Sequence, residues 1–282
     1  MKGGSVARAR VTERAAFVLL WVAAGITVLP VVFVLAVLLL RGAPALTWTF
    51  LTSSREGILP SVVGSVLLVL LTSLIAAPLG VMAALYLSEY ARQGRLLRLI
   101  RLAIVNLAGV PSVVYGLFGL ALFVTLLHFG RSLLSGACTL ALLVLPLVIT
   151  ASEEALRQLP RGLREGSLAL GATRLQTIRR VVLPNALPGV ITGLILAVGR
   201  AAGETAPILF TAAFFSLTHP YPNSVFAPIL ALPYQLYVMA TEVPNVPQST
   251  KWGSALVLVL LVLGLNLVAV VWRARLRRRR RW

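Results

Sequence analysis

Two ionisable residues stand inside a long apolar run, where neither is tolerated without a partner or a purpose. Arg200 and Glu204 lie four apart in A-V-G-R-A-A-G-E-T-A-P, so on a helix they share a face. A charged side chain at the centre of a membrane helix costs at least about 2.5–3.5 kcal/mol on insertion scales, so such residues face a bundle interior or a water-filled path. Two roles fit the pair. In one, the charges neutralise each other and lock packing. In the other, Arg200 offers a fork of donors to an oxyanion, and Glu204 holds the fork and keeps it partly neutralised so that the anion can leave. Gly199 and Gly203 thin the same helix for a close neighbour. Pro207 bends it or frees a carbonyl just beyond.

The rest of the chain offers little to an enzyme. It contains no Asp, and no paired carboxylates, Ser-His or Cys-His arrangement. It has no GxxxxGK[ST] phosphate loop, so it does not hydrolyse ATP itself. His128 and His219 have no metal-type partners at useful spacing and read as interfacial residues. Glu153 and Glu154 precede a basic stretch and read as a solvated face. The single cysteine, Cys138, excludes an intrachain disulfide and reads as a small core residue.

The elements that must hold Arg200 are apolar to an unusual degree. Hydrophobic residues make up 59% of the 282, and charged ones only 12%. Soluble domains carry about 25% charged residues, so the composition is that of a membrane protein. Six apolar runs follow one another: Ala15 to Leu40, Ser61 to Leu87, Leu102 to His128 (interrupted at Asn106 and Pro111), Gly136 to about Ser152, Leu187 to Phe215, and Gly253 to Trp272. The first is too long for the apolar core of a signal peptide, and each is read as a span. Between them, 41–60 carries Trp48 and Phe50 as interfacial anchors, 89–101 is a short basic connection, and 217–251 is a long loop.

Charge fixes an orientation. Lys and Arg number twenty-one in residues 1–14, 92–101, 157–180 and the tail from Arg273, against four (Arg41, Arg55, Arg131 and Lys251) on the opposite side. Basic residues mark the cytoplasmic face. The reading is therefore all-α, with six transmembrane helices and both termini cytoplasmic. The net charge of +18 is an orientation signal beside anionic headgroups rather than a nucleic-acid surface, and Arg277 to Arg281 are part of it.

The longest polar interruption is built like a small structured object. Pro160 suits a first helical position, and Gly171 suits the left-handed residue past a helix end. Leu163, Gly166, Ser167 and Leu170 share a face at helical spacing. Thr173 and Gln176 form a capping-box pattern for a second helix, Arg174 to Leu183, which Pro184 ends.

That order resembles the EAA loop of ABC importer permeases, whose pattern is Glu-Ala-Ala, three residues, Gly, nine residues, Ile, one residue, Leu-Pro. Glu165, Gly171, Val181, Leu183 and Pro184 fall at those spacings, with Gly166 and Ser167 in place of the alanines. G-R-A-A-G-E-T-A-P-I-L-F-T-A in the fifth run and G-V-P-S-V-V-Y-G-L-F-G in the third narrow the resemblance to phosphate-importer permeases of the PstA type. The resemblance implies a type I ABC importer permease (MetI-like) fold in a bacterial or archaeal plasma membrane. It divides the chain into a first span with its loop (1–60), a transport domain (61–272, with the loop at 160–184) and a basic tail (273–282). It implies as partners a PstC-type permease, two PstB-type ATPases that bind ATP and Mg, and a PstS-type phosphate-binding protein. The chain itself holds no cofactor and no metal. The implied anion pathway includes Arg200, Glu204 and Thr205, with Pro111, Ser112 and Tyr115. The implied ATPase contact includes Glu165, Gly166, Ser167, Ala169, Leu170, Gly171, Ala172 and Pro184. Other oxyanions such as sulfate or molybdate, and a non-transport membrane scaffold, are the alternative readings.

Overall fold

Backbone polar groups in hydrocarbon must be satisfied within the chain, so apolar runs of this length become helices. The computed structural model describes residues 3–54, 57–214 and 221–278. Lys2, Arg55, His219 and Arg279 to Arg281 lie outside the described residues. The helices are α1 Gly3–Gly42, α2 Trp48–Thr52, α3 Leu59–Leu85, α4 Arg95–Ala108, α5 Ser112–Gly119, α6 Leu133–Arg157, α7 Arg161–Ala169, α8 Arg174–Thr177, α9 Leu183–Gly203, α10 Ala206–Thr211, α11 Leu232–Thr241 and α12 Gln248–Arg278. π-helical turns at Tyr86–Tyr90, Leu120–Leu126 and Ile178–Val182 extend α3, extend α5 and join α8 to α9.

Five helical segments are each long and apolar enough to cross a membrane, and α4 with the α5 segment makes a sixth that bends by 99°. Contacts show how that bent pair runs. Arg101 pairs with Glu153 near the end of α6, whereas the α5 segment leads to Ser132 and Leu133 at its start. A helix of 25 residues is about 37 Å long, so the bent pair carries the chain from one end of α6 to the other. It is a broken span.

α6 forms the core. Leu140, Leu143, Val144, Val148 and Leu156 are fully buried, with α3, α4, α5 and α9 packed around them. α1 lies outside on α12 and leaves its apolar side chains exposed, as a lipid-facing helix does. Arg41 at its end stacks over the Trp252 ring at 5.3 Å, and Trp48 is exposed.

Several expectations give way. The basic connection 89–101 is not a loop: α4 begins at Arg95, because Arg95, Arg98 and Arg101 recur at a helical interval opposite an apolar face. The loop 217–251 contains α11, tied to α3 by a hydrogen bond from Ser61 to Gln235 and by the Leu232 N–H donating to the Ser65 hydroxyl at 2.8 Å. Pro160 precedes α7 rather than opening it, since its ψ of 135° is extended. Pro184 does not end a helix. It sits in the first turn of α9, where the preceding π turn has already interrupted the ordinary backbone ladder, so its missing N–H costs little.

Candidate functional site

The fifth span breaks at the predicted pair. α9 ends at Gly203, and Glu204 is extended, with ψ 132°. Arg200 occupies the last helical turn, where the partial negative charge of the helix end favours a cation. Its Nε approaches Glu204 Oε1 at 3.5 Å, a long contact that joins them across the break. The two terminal guanidinium nitrogens have no hydrogen-bond partner among the described residues. The fork is held at its base and open at its tip. Gly199 does admit a neighbour: a Cβ there would lie 2.7 Å from Asn266 Oδ1 on α12. Gly203 does not, having nothing within 4 Å. Thr205 is half-buried in the break, and Pro207 opens α10.

The second intramembrane string meets the first. A Cβ on Gly116 would stand 2.8 Å from the Phe210 ring and 3.0 Å from the Pro207 Cα, so α5 lies directly on α10. Tyr115 is buried and within electrostatic range of Arg200. Its hydroxyl donates to the Leu107 carbonyl at 2.9 Å, spanning the break between α4 and α5. Pro111 is exposed and Ser112 half-buried at that break. Tyr115 thus braces the bend, while Arg200 presents free donors.

The 160–184 segment folds as two short helices around Gly171, whose φ of +83° is the left-handed conformation that glycine tolerates best. Thr173 and Gln176 form the full capping box: the Gln176 N–H donates to Thr173 Oγ1 at 3.3 Å and the Thr173 N–H to Gln176 Oε1 at 2.8 Å. The single face expected for α7 divides into two rows. Leu163 and Ser167 turn inward, Ser167 sharing a hydrogen bond with Thr177 at 3.0 Å, while Gly166 and Leu170 face out. Glu165, Ala169 and Gly171 are exposed, Ala172 half-buried, and Pro184 half-buried within α9. Leu170 is 91% exposed, Leu175 65% and Leu168 47%.

Sequence spacing misses the charges that anchor this segment. Arg164 forks onto Glu89 at 2.8 Å and donates to the carbonyls of Leu156 and Leu159 at 2.8 and 3.1 Å. Glu153 is no solvated face. It is 7% exposed and takes Arg101 at 2.7 Å and Arg157 at 2.9 Å. The partner that buries it, Arg101, is 52 positions away, beyond any local pattern. His128 is exposed with φ 56°, a turn residue after the α5 segment.

Residues 76–282 match the family of binding-protein-dependent transport system inner membrane components. The chain belongs to this family. It is 37% identical over 267 residues to the phosphate transport system permease protein PstA 1 of Mycobacterium tuberculosis, covering 91% of this chain and 85% of that protein. It is 34% identical over 278 residues to the probable ABC transporter permease protein YqgI of Bacillus subtilis, covering 92% and 94%. Among solved structures, a bacterial alginate ABC transporter in complex with its alginate pentasaccharide-bound periplasmic protein superposes with a TM-score of 0.65, at 14% identity, over 96% of this chain and 95% of that one. The fold is that of ABC importer permeases.

Proposed function

We propose that this chain is the permease subunit of an ATP-driven phosphate importer and forms half of the translocation pathway. The observation that carries the reading is the open fork of Arg200 at the α9–α10 break, in a chain similar along most of its length to phosphate permeases. Arg200 meets the anion with its free donors, and Glu204 holds the guanidinium and tempers its charge so that release stays fast. Thr205, Ser112 and Pro111 line the approach, and Tyr115 keeps α5 in place.

Energy comes from partners. The exposed leucines around Gly171 dock in a groove of a cytoplasmic ATPase of the PstB type, two copies of which bind ATP and Mg. Arg164 passes the movement of that loop to α3 and α6. A PstC-type permease completes the pore, and a PstS-type protein delivers phosphate from outside. The excess of Lys and Arg on the loop's side supports a cytoplasmic loop and cytoplasmic termini in a prokaryotic plasma membrane. The division into 1–60, 61–272 and 273–282 belongs to the same reading.

The test is purification of the tagged chain with its partners, followed by an ATPase assay with the binding protein added. Stimulation by phosphate and not by sulfate is expected. A guanidinium fork also accepts sulfate or molybdate, so stimulation by one of those moves the substrate and keeps the architecture. Absence of any ATPase partner overturns the reading.

A further inference from the structure

Behind the 160–184 segment lies a cleft of about 840 Å³, within the range of small-ligand sites. Five arginines line it: Arg101, Arg157, Arg161, Arg164 and Arg174. Their commitments differ. Arg101 and Arg157 are spent on Glu153, and Arg164 on Glu89, the Leu156 carbonyl of α6 and the Leu159 carbonyl just past it. Arg161 and Arg174 have no ion pair among the described residues. Glu165 also lines the cleft, one helical turn on from Arg161, yet it makes no ion pair with it.

Arg174 is positioned without using its donors: its guanidinium lies over the Tyr90 ring at 5.5 Å, held by its face. The carbonyl acceptors on the α6 side are already occupied by Arg164. What remains is a concave surface with donors to spare from two elements, α7 and α8, that meet at the Gly171 turn. Guanidinium forks match the oxygen geometry of phosphate.

We propose that this cleft binds a phosphate-bearing anion, with Arg161 and Arg174 as its clamp. Occupancy ties α7 to α8 across the Gly171 turn and stiffens the surface that carries Leu168, Leu170 and Leu175. Two sources offer the same chemistry. One is inorganic phosphate from the solution. The other is an anionic lipid headgroup, because neighbouring α4 exposes Leu96, Leu99 and Leu102 beside its arginines, as an interfacial helix does. The proposal rests on the cleft and not on which solute crosses the membrane.

The experiment uses the full chain and its R161Q/R174Q, R161K/R174K and E165Q variants, each with and without R200Q so that binding at the α9–α10 break is separated. One arm measures equilibrium binding of radiolabelled orthophosphate in an uncharged detergent. The other measures retention of phosphatidylglycerol by native mass spectrometry after exchange from phosphatidylcholine nanodiscs. Saturable binding in at least one arm is expected, weakened at least about tenfold by R161Q/R174Q, partly kept by R161K/R174K, and tightened by E165Q. The responding arm identifies the source, and the R200Q background leaves these differences intact. Circular dichroism checks folding, and the opposite shift in E165Q keeps the test sound if the glutamine pair folds poorly. The proposal is overturned if wild type binds neither probe, if the glutamine pair binds as wild type does, or if that pair loses only the co-purification of an ATPase.

Discussion

Gly116 and Pro207 meet backbone to backbone: a Cβ on Gly116 would stand 3.0 Å from the Pro207 Cα and 3.1 Å from the Ala206 carbonyl oxygen. The Phe210 ring can rotate away from a larger residue, but a main-chain atom cannot. Gly116→Leu should therefore lower stability by about 1–3 kcal/mol through overpacking. Gly203→Ala, at a helix end with nothing within 4 Å, should change it little. Thermal unfolding of the detergent-solubilised chain compares the two. Equal midpoints would mean that α5 and α10 do not pack as described.

Arg200 and Glu204 distinguish pairing from transport. Arg200→Gln should abolish phosphate uptake in proteoliposomes while leaving assembly intact. If the pair only locks packing, the double change R200Q/E204Q removes both charges and should restore uptake. If the free donors of Arg200 meet the anion, the double variant assembles normally and stays inactive, which is the expected result. Normal uptake by the single variant would rule out an essential role for its charge.

What the sequence revealed depended on how far apart the responsible atoms lie along it. The Gly171 turn and the Thr173–Gln176 box were legible because each is decided within a few residues. Arg200 and Glu204 were legible as a pair because hydrocarbon leaves few options for adjacent charges. Pro184 misled because a π turn, invisible to periodicity, had already broken the ladder before it. Glu153 misled because its environment is supplied by Arg101 from another helix. α4 is hard to see in the sequence because Arg95, Arg98 and Arg101 form a short basic run there and become one face of an amphipathic helix only at helical spacing. The close approach of Gly116 to α10 has no local signal, because its two sides come from strings about ninety residues apart.

Arg164 ties the 160–184 segment to two helices at once. Arg164→Ala removes the fork on Glu89 and two carbonyl contacts, and should destabilise the segment by about 1.5–3 kcal/mol, the range for hydrogen bonds to a charged group. Arg164→Lys keeps the charge but loses the planar fork, so it should recover part of the loss. Limited proteolysis between residues 160 and 173, with hydrogen exchange of α7, measures both. Protection equal to wild type in the alanine variant would show that the loop is held by other contacts.

Gly171 separates backbone strain from charge in the proposed docking surface. A residue with a Cβ held at a φ of +83° costs about 1–2 kcal/mol, and Asn and Asp visit that region more readily than others. Gly171→Asn and Gly171→Asp have the same shape and differ by one negative charge. The Asn variant should keep most ATPase capture. The Asp variant should lose it and uncouple hydrolysis from transport, because the turn lies beside Leu170 on the exposed face. Capture of the ATPase on the purified chain and its stimulation by phosphate with binding protein are the readouts. Loss by both variants to the same degree would assign the effect to the turn's geometry, and full function in both would remove this surface from the coupling contact.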